Sequence, residues 1–506
     1  MFRSNACPST EACDDITSLI EEHERFVTIQ DQVERRQTHT KGHATLAPVK
    51  RLQPEILSEI FEHCLDAENC GVVFSTMARS KEAPLLLGRV CRSWRAIAHA
   101  TPRLWRDIFV NVCDGRYSDE LRRDALPVLQ AWLAHSGALP LSLVVLCKAE
   151  RVLPGLVDLF ETIAAHAARW KTVHVRLQNS LEMYTLVCRA FTQCSALSTF
   201  DVTDGGQRTW FFGNQQPDDV QPVCFDLSLA PLQDHLSLSL AGLTIRDVHA
   251  PWATLTRLSF MQDASSSTSS ITDYVAILQQ CRSLKECGIT VDSGVRDAPL
   301  EPFTMPSLES LRLQVLRDAS QTTQTGDLLS ALSAPRLCSL SIEDYCPRPE
   351  TVLYHSQLRA FLEAHAPSLR HLRFLTGSKH FTSEDMIALI VETPLLTELE
   401  YHPDEESSPT ALLEGLTPRV QGDGLECLLP CLERFLVYWD TAETVSMVGD
   451  MIEQRYALSE RRIARLKHLS CKPVRLVPPQ VAMLVENLAV RLEPLCRCGL
   501  QVDWEA

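Results

Sequence analysis

One apolar pattern recurs along most of the chain. An apolar residue, usually leucine, stands at the first, fourth and sixth positions of twelve short segments whose starts are 24 to 36 residues apart. The segments begin at Leu141, Trp170, Leu197, Cys224, Leu255, Leu284, Leu308, Leu337, Leu369, Leu396, Leu432 and Leu466. Prolines stand two residues before six of these starts, at Pro222, Pro306, Pro335, Pro367, Pro394 and Pro430. Because proline ends a helix and its neighbour favours extended backbone, each segment is predicted to begin a short strand.

Helical patterns lie between the predicted strands, where apolar residues recur at three- and four-residue spacing. They cover residues 156–170, 271–281, 354–366, 382–393 and 445–466. One strand and one helix per repeat resembles the leucine-rich-repeat family. The resemblance implies a curved solenoid of parallel strands and helices over residues 111–506. An alternating arrangement without a repeat stays open, and the predicted fold class is α/β in either case.

Residues 50–110 contain two further helical patterns. In the first, RLQPEILSEIFEHCLD, Pro54 suits the first turn, where its missing N–H costs nothing. Apolar residues then recur in pairs four positions apart and make one wide apolar face. The second, APLLLGRVCRSWRAIAHATP at 83–102, is predicted as one helix that stops near Pro102, after a loop at 66–83. Each large side chain buried is worth about 1.5–3 kcal/mol, so a further surface is expected to cover these helices.

Three motifs in this region resemble the F-box family. LQPEILSEIF is similar to the family's LPxEILxxIF opening, VCRSW to its VCRxW helix and TPRLW to its xxLW segment, although Gln53 stands where the family usually has proline. The resemblance implies a helical hairpin that docks on a Skp-type adaptor and, through it, on a cullin scaffold. The residues implied for adaptor binding are Leu52, Pro54, Ile56, Leu57, Ile60, Phe61, Val90, Cys91 and Trp94. The residues alone leave open which of these pack inside the domain and which meet the adaptor.

The first 49 residues are expected to precede any compact domain. We predict a disordered tail at 1–14, an amphipathic helix at 15–37 and a polar linker at 38–49. The helix is expected to dock on its own domain, and a dimerising coiled coil is the alternative. No apolar core of a signal peptide is seen near the start, so export is not expected.

Composition restricts the class of partner and the compartment. The chain has 64 acidic and 48 basic residues and a net charge of −16, which disfavours binding to nucleic acid. Its longest apolar stretch, Leu139 to Cys147, is far below the roughly 20 residues of a membrane span. The 19 cysteines include no CxxC pair and mostly lie in apolar runs, as expected of free thiols in the reducing cytoplasm or nucleus.

Motifs for catalysis, cofactors or metals are not found. GxxxxGK, GxSxG and HExxH do not occur, and the cysteines lack a second ligand pair at zinc spacing. We therefore expect no enzymatic activity, no cofactor and no metal. The F-box resemblance implies a substrate-receptor subunit of a cullin ubiquitin ligase, with the repeats holding an unidentified target protein. The alternatives are an interaction scaffold without ubiquitin output and, less favoured, an enzyme with an unfamiliar site among the repeats.

Overall fold

The structure is a computed structural model. It describes residues 52–65, 83–112, 125–147, 154–177, 194–204, 225–239 without 229 and 233, 245–261, 270–291, 300–315, 324–344, 355–376, 381–402, 408–439 without 422 and 423, 441–459, 463–473 and 478–504. These ranges fall into two compact units, and the described part of the first ends at Leu104. The predictions for residues 1–14, 15–37 and 38–49 lie outside the described residues, as does nearly all of the loop predicted at 66–83.

The first unit is helical. Its helices are α1 Pro54–His63, α2 Leu87–Val90 and α3 Arg92–His99, followed by a short 3-10 helix at Pro102–Trp105. Pro54 occupies the first turn of α1 and Glu55 follows it there, so the predicted start of this helix is confirmed. The second predicted helix is wrong in one respect: the chain breaks at Cys91, whose extended backbone separates α2 from α3.

The second unit is built on one parallel sheet of fourteen described strands. They are β1 Asp107–Val112, β2 Leu141–Cys147, β3 Trp170–Leu177, β4 Thr199–Asp204, β6 His235–Ser239, β8 Arg257–Phe260, β9 Glu286–Val291, β11 Ser310–Val315, β13 Ser339–Asp344, β14 His371–Thr376, β15 Glu398–His402, β18 Arg434–Trp439, β19 His468–Pro473 and β20 Gln501–Trp504. The strands lie side by side in the order of the chain. Parallel neighbours require a crossover between them, which the helices and longer connections supply.

The remaining elements lie between these strands. The helices are α4 Leu126–His135, α5 Pro154–Ala164, α6 Ile271–Leu278, α7 Gln324–Ala331, α8 His355–His365, α9 Ser383–Ile390, α10 Thr410–Leu416, α11 Ala442–Ala457 and α12 Pro478–Cys496. The short strands β5 Phe225–Asp226, β7 Val248–His249, β10 Phe303–Thr304, β12 Leu332–Ser333, β16 Arg419–Gln421 and β17 Gly424–Glu426 form three separate two-stranded sheets. Three of the five helices predicted in this unit end within a few residues of their predicted limits, but α5 ends six residues early and α11 ends nine residues early.

Side-chain burial alternates along many of the main strands, although on β9 every residue after Glu286 is buried. On β3, Val173 and Val175 are buried, whereas His174 between them is only half-buried. The same alternation on β13 buries Leu340 and Ile342. The core therefore lies on one face of the sheet, and the other face, called the open face below, carries the residues between the buried ones.

The repeated motif marks nearly all of these strands. In nine of the twelve segments the strand starts two residues after the motif's first residue, as at Leu337, which is fully buried in the turn before β13. The prediction for the segment at Cys224 is wrong, because the strand that follows it, β5, lies outside the main sheet. After β4, the next strand of the main sheet is β6. Strand β1 also belongs to the sheet, so the second unit begins before the predicted boundary at residue 110.

No described helix combines the length and the apolar character that crossing a membrane requires.

Candidate functional site

Helix α1 divides its apolar residues between two stripes. Leu57 and Phe61 are buried, at 4% and 0% exposure, whereas Ile56 and Ile60 are 48% and 41% exposed. Consecutive residues of an α-helix are about 100° apart around its axis, so the two pairs lie on adjacent stripes. One stripe packs inside the protein and the other faces solvent.

Helix α2 and the residue before it show the same division. Leu87 is buried, whereas Leu86 and Val90 are 44% and 56% exposed. The backbone of Leu86 is already helical, so Leu86 and Val90 stand one turn apart on one side of the chain. Two helical segments of the first unit thus each present an exposed apolar pair.

The break at Cys91 sets the direction of α3. Cys91 is its N-cap, and the Cys91 sulfur accepts a hydrogen bond of 3.4 Å from the backbone N–H of Trp94. Trp94 is half-buried, and its ring centroid lies 4.9 Å from that of Phe61. Trp94 therefore joins α3 to α1, while the Cys91 side chain is exposed.

Polar contacts also connect α1 to the residues that follow α3. The hydroxyl oxygens of Ser58 and Thr101 are 2.9 Å apart. Arg103 forms ion pairs with Glu59 and Glu62 at 3.6 and 3.5 Å. Because these pairs are largely exposed, each is worth at most about 1 kcal/mol, and the buried apolar residues contribute most of the stability.

The structure divides the nine residues that the F-box resemblance implied. Leu57 and Phe61 are buried, and Trp94 packs on Phe61. The other six are exposed: Leu52, Pro54, Ile56, Ile60, Val90 and Cys91. Leu86 is exposed as well and was not among the nine. Its signal in the sequence is its four-residue spacing from Val90.

Exposed apolar side chains are concentrated in the first unit. We call Leu52, Ile56, Ile60, Leu86 and Val90 the exposed apolar set. Among the described residues, these are five of the eleven large hydrophobic side chains that are exposed, although their two segments are short. Single exposed apolar residues are ordinary, but a concentration of them marks an interaction surface. This set is the principal candidate site.

The open face of the sheet carries a second feature, a line of charges across β11 to β15. Nη2 of Arg312 lies 2.6 Å from Oε1 of Glu343, and Nη1 of Arg373 lies 3.9 Å from the same oxygen. Nε of Arg373 forms an ion pair at 3.2 Å with Glu400, which accepts a hydrogen bond of 2.6 Å from His402. We call these five residues the charge line.

Glu400 is held ionised within this line. Burial raises the pKa of its carboxyl group, but the hydrogen bond from His402 and the positive charge of Arg373 act in the opposite direction and outweigh it. The pKa of Glu400 is therefore below its ordinary value. The carboxylate stays charged at neutral pH and keeps Arg373 in place.

The buried cysteines are poorly suited to nucleophilic chemistry. Burial raises the pKa of Cys194 and of Cys281 to about 12, so both thiols stay protonated at neutral pH. Across the described ranges, no group of three or more histidine, cysteine or acidic residues is arranged to hold a metal ion.

No protein-family model matches the chain. None of the curated proteins matches its sequence either.

Proposed function

We propose that the chain is a substrate-receptor subunit of a cullin ubiquitin ligase. Its first unit acts as an F-box that binds a Skp-type adaptor, and its sheet acts as a leucine-rich-repeat solenoid that binds a target protein. The observation that carries the proposal is the exposed apolar set, because all of its residues except Leu86 lie within the motifs that resemble the F-box family. Another chain that covered these side chains would gain roughly 1.5–3 kcal/mol for each one fully buried.

The division of residues supports docking on the exposed apolar set. Leu57 and Phe61 supply an internal core, so α1 does not need Ile56 and Ile60 for its own packing. The same holds for Leu87 relative to Leu86 and Val90. Apolar residues that are spared from the core and repeat at one-turn spacing are typical of a helix face that meets a partner.

The sheet supports the repeat part of the proposal. Its described strands are all parallel and follow the order of the chain, with each neighbour next in sequence. A doubly wound sheet would reverse its strand order at a switch point. Stacked repeats would instead add each strand beside the preceding one, and they offer an extended open face for a protein target.

The ligase mechanism needs no catalytic residue in this chain. The partner enzyme carries ubiquitin as a thioester, and the receptor holds the target nearby. Tethering raises the effective concentration of a target lysine, which accelerates the transfer by proximity. The role of the chain is therefore to connect the adaptor to the target.

Binding of the full chain to a purified Skp-type adaptor tests the proposal. The double variant Ile60→Asp with Val90→Asp should weaken binding by about a hundredfold or more, because it places two charges in the apolar contact. Its melting temperature should be close to that of the wild type, since both residues are exposed. Leu57 and Trp94 are unsuitable positions, because a charge there would disturb the packing of the first unit.

Val391→Asp is the matched control. Val391 is 50% exposed, like the test residues, but lies in the second unit beside α9. Its affinity for the adaptor should equal that of the wild type. Undiminished binding by a folded double variant would refute the assigned surface. A complex of chain, adaptor and cullin is also required, and its failure to form would favour a scaffold without ubiquitin output.

A further inference from the structure

The charge line is layered, with acids beneath and arginines above. The Glu343 side chain is only 4% exposed and that of Glu400 is 22% exposed, whereas those of Arg312 and Arg373 are 50% and 40% exposed. A molecule that approaches the open face here meets guanidinium N–H groups before it meets a carboxylate. The surface is therefore locally cationic although the line is nearly neutral in total.

Two arginines converge on a single carboxylate oxygen. Arg312 and Arg373 both place a nitrogen on Oε1 of Glu343, at 2.6 and 3.9 Å, so these nitrogens can be no farther apart than the two distances together. Each guanidinium has five N–H donors in a rigid fork, and the contacts with Glu343 and Glu400 occupy only some of them. Donors from two side chains therefore remain for an anion at the surface.

Small residues flank Arg312 in the sheet. In the same row across the sheet, its neighbours are Gly288 on β9 and Ser341 on β13, and Arg373 stands beyond Ser341. A side chain added at Gly288 would meet Met261 and Ser259 only at ordinary contact distances of 3.5 Å. The Ser341 hydroxyl oxygen is buried and has no hydrogen-bond partner among the described residues. Buried polar groups normally have one, so this hydroxyl is available to a ligand that parts the two arginines.

We infer that Arg312, Arg373 and the hydroxyl of Ser341 form a site for the carboxylate of an aspartate or glutamate in an acidic segment of the target protein. The inference rests on the proposed function, in which the open face binds the target. Arginine forks match a carboxylate in a two-bond geometry, and such charge-assisted hydrogen bonds are stronger than neutral ones.

The overall charge of the chain does not prevent this. The net charge of −16 repels an acidic partner at long range. However, the Debye length is about 8 Å at physiological ionic strength, so exposed charges farther away are largely screened. At contact distance, the attraction of the two arginines for a carboxylate therefore outweighs the repulsion from the net charge of the chain.

Fluorescence anisotropy of labelled peptides with the full chain, without adaptor, tests the site. The probe is a peptide of alternating glutamate and glycine, compared with versions in which glutamine, lysine or phosphoserine replaces glutamate. We expect the glutamate peptide to bind at least about tenfold more tightly than the glutamine and lysine peptides. Arg312→Gln should weaken the glutamate peptide about tenfold, and Arg257→Gln, which changes another exposed arginine of the open face, should leave it unchanged.

A second variant distinguishes a loss of binding from a loss of folding. Arg312→Gln removes one partner of the buried Glu343, so its melting temperature is measured alongside. The double variant Arg312→Gln with Glu343→Gln removes the buried Glu343 carboxylate together with its arginine partner. This double variant should stay folded and should lose peptide binding.

Three results would overturn the inference: equal binding of the glutamine or lysine peptide, unchanged binding by the folded double variant, or binding of the phosphoserine peptide alone. Because adaptor binding is measured separately, each of these would leave the adaptor result intact.

Discussion

Arg455 shows how a single residue organises a turn in the second unit. It is fully buried, and it donates hydrogen bonds to the backbone oxygens of Leu416, Leu428 and Leu429 at 3.1, 2.9 and 2.8 Å. Leu429 has a positive φ of 51°, which is uncommon outside glycine. Burial lowers the pKa of Arg455. Among the described residues, the hydrogen-bond partners of Arg455 are these carbonyl oxygens and the sulfur of Cys427, and none of them is a carboxylate.

Arg455→Leu should therefore destabilise the protein strongly. Three backbone oxygens would lose the donor that Arg455 supplies. The Leu429 oxygen keeps the N–H of Leu432, but each oxygen left without a partner in a buried place costs about 1–3 kcal/mol. We expect the free energy of unfolding to fall by at least about 3 kcal/mol in urea denaturation. Arg497→Leu is the control, because Arg497 is exposed and its one ion-pair partner among the described residues is Glu493, one turn away. Equal unfolding midpoints for the two variants would contradict this role for Arg455.

At the residue scale, the sequence predicts the apolar residues of the first unit but not their division. Ile56 and Leu57 are both apolar, and so are Ile60 and Phe61. Their periodicity is compatible with burial on either stripe, since the pattern records polarity and not what lies against each side. The burial of Leu57 and the packing of Trp94 on Phe61 show which stripe is internal.

At the scale of elements, helix ends follow recognisable local chemistry. Helix α9 begins with a capping box: the Thr382 hydroxyl accepts from the N–H of Asp385, and the Asp385 carboxylate accepts from the N–H of Thr382. The sequence pattern predicted this helix at 382–393. Cys91 was not recognised as a cap, because cysteine is not among the usual N-cap residues.

Thr382→Ala should lower the stability of the second unit by about 1 kcal/mol, since it removes the side-chain acceptor at the start of α9. Thr382→Ser keeps the hydroxyl and should behave like the wild type. The check is the urea midpoint of both variants. An alanine variant as stable as the serine variant would show that the capping box contributes nothing.

At the scale of the whole molecule, the recurring motif predicts most of the sheet. It marks most strands through a buried residue just before the strand, and half of its segments also through a proline in the preceding turn. It misses β6 because Gln233, two residues before that strand, is polar where the motif has an apolar residue, and it misses β1 and β20 at the two edges of the sheet. The charge line was not predicted, because it joins residues from four strands that only the register brings together.

The most direct test of the central claim is the alkylation rate of Cys91 in the full chain, measured by mass spectrometry with and without saturating Skp-type adaptor. Cys91 is exposed and belongs to the predicted adaptor surface, whereas Cys496 and Cys498 are exposed in the second unit. We predict that the adaptor slows the reaction of Cys91 several-fold and leaves Cys496 and Cys498 unchanged. An unchanged rate at Cys91 with the adaptor present, or equal slowing at all three, would contradict the claim that the first unit is the docking surface.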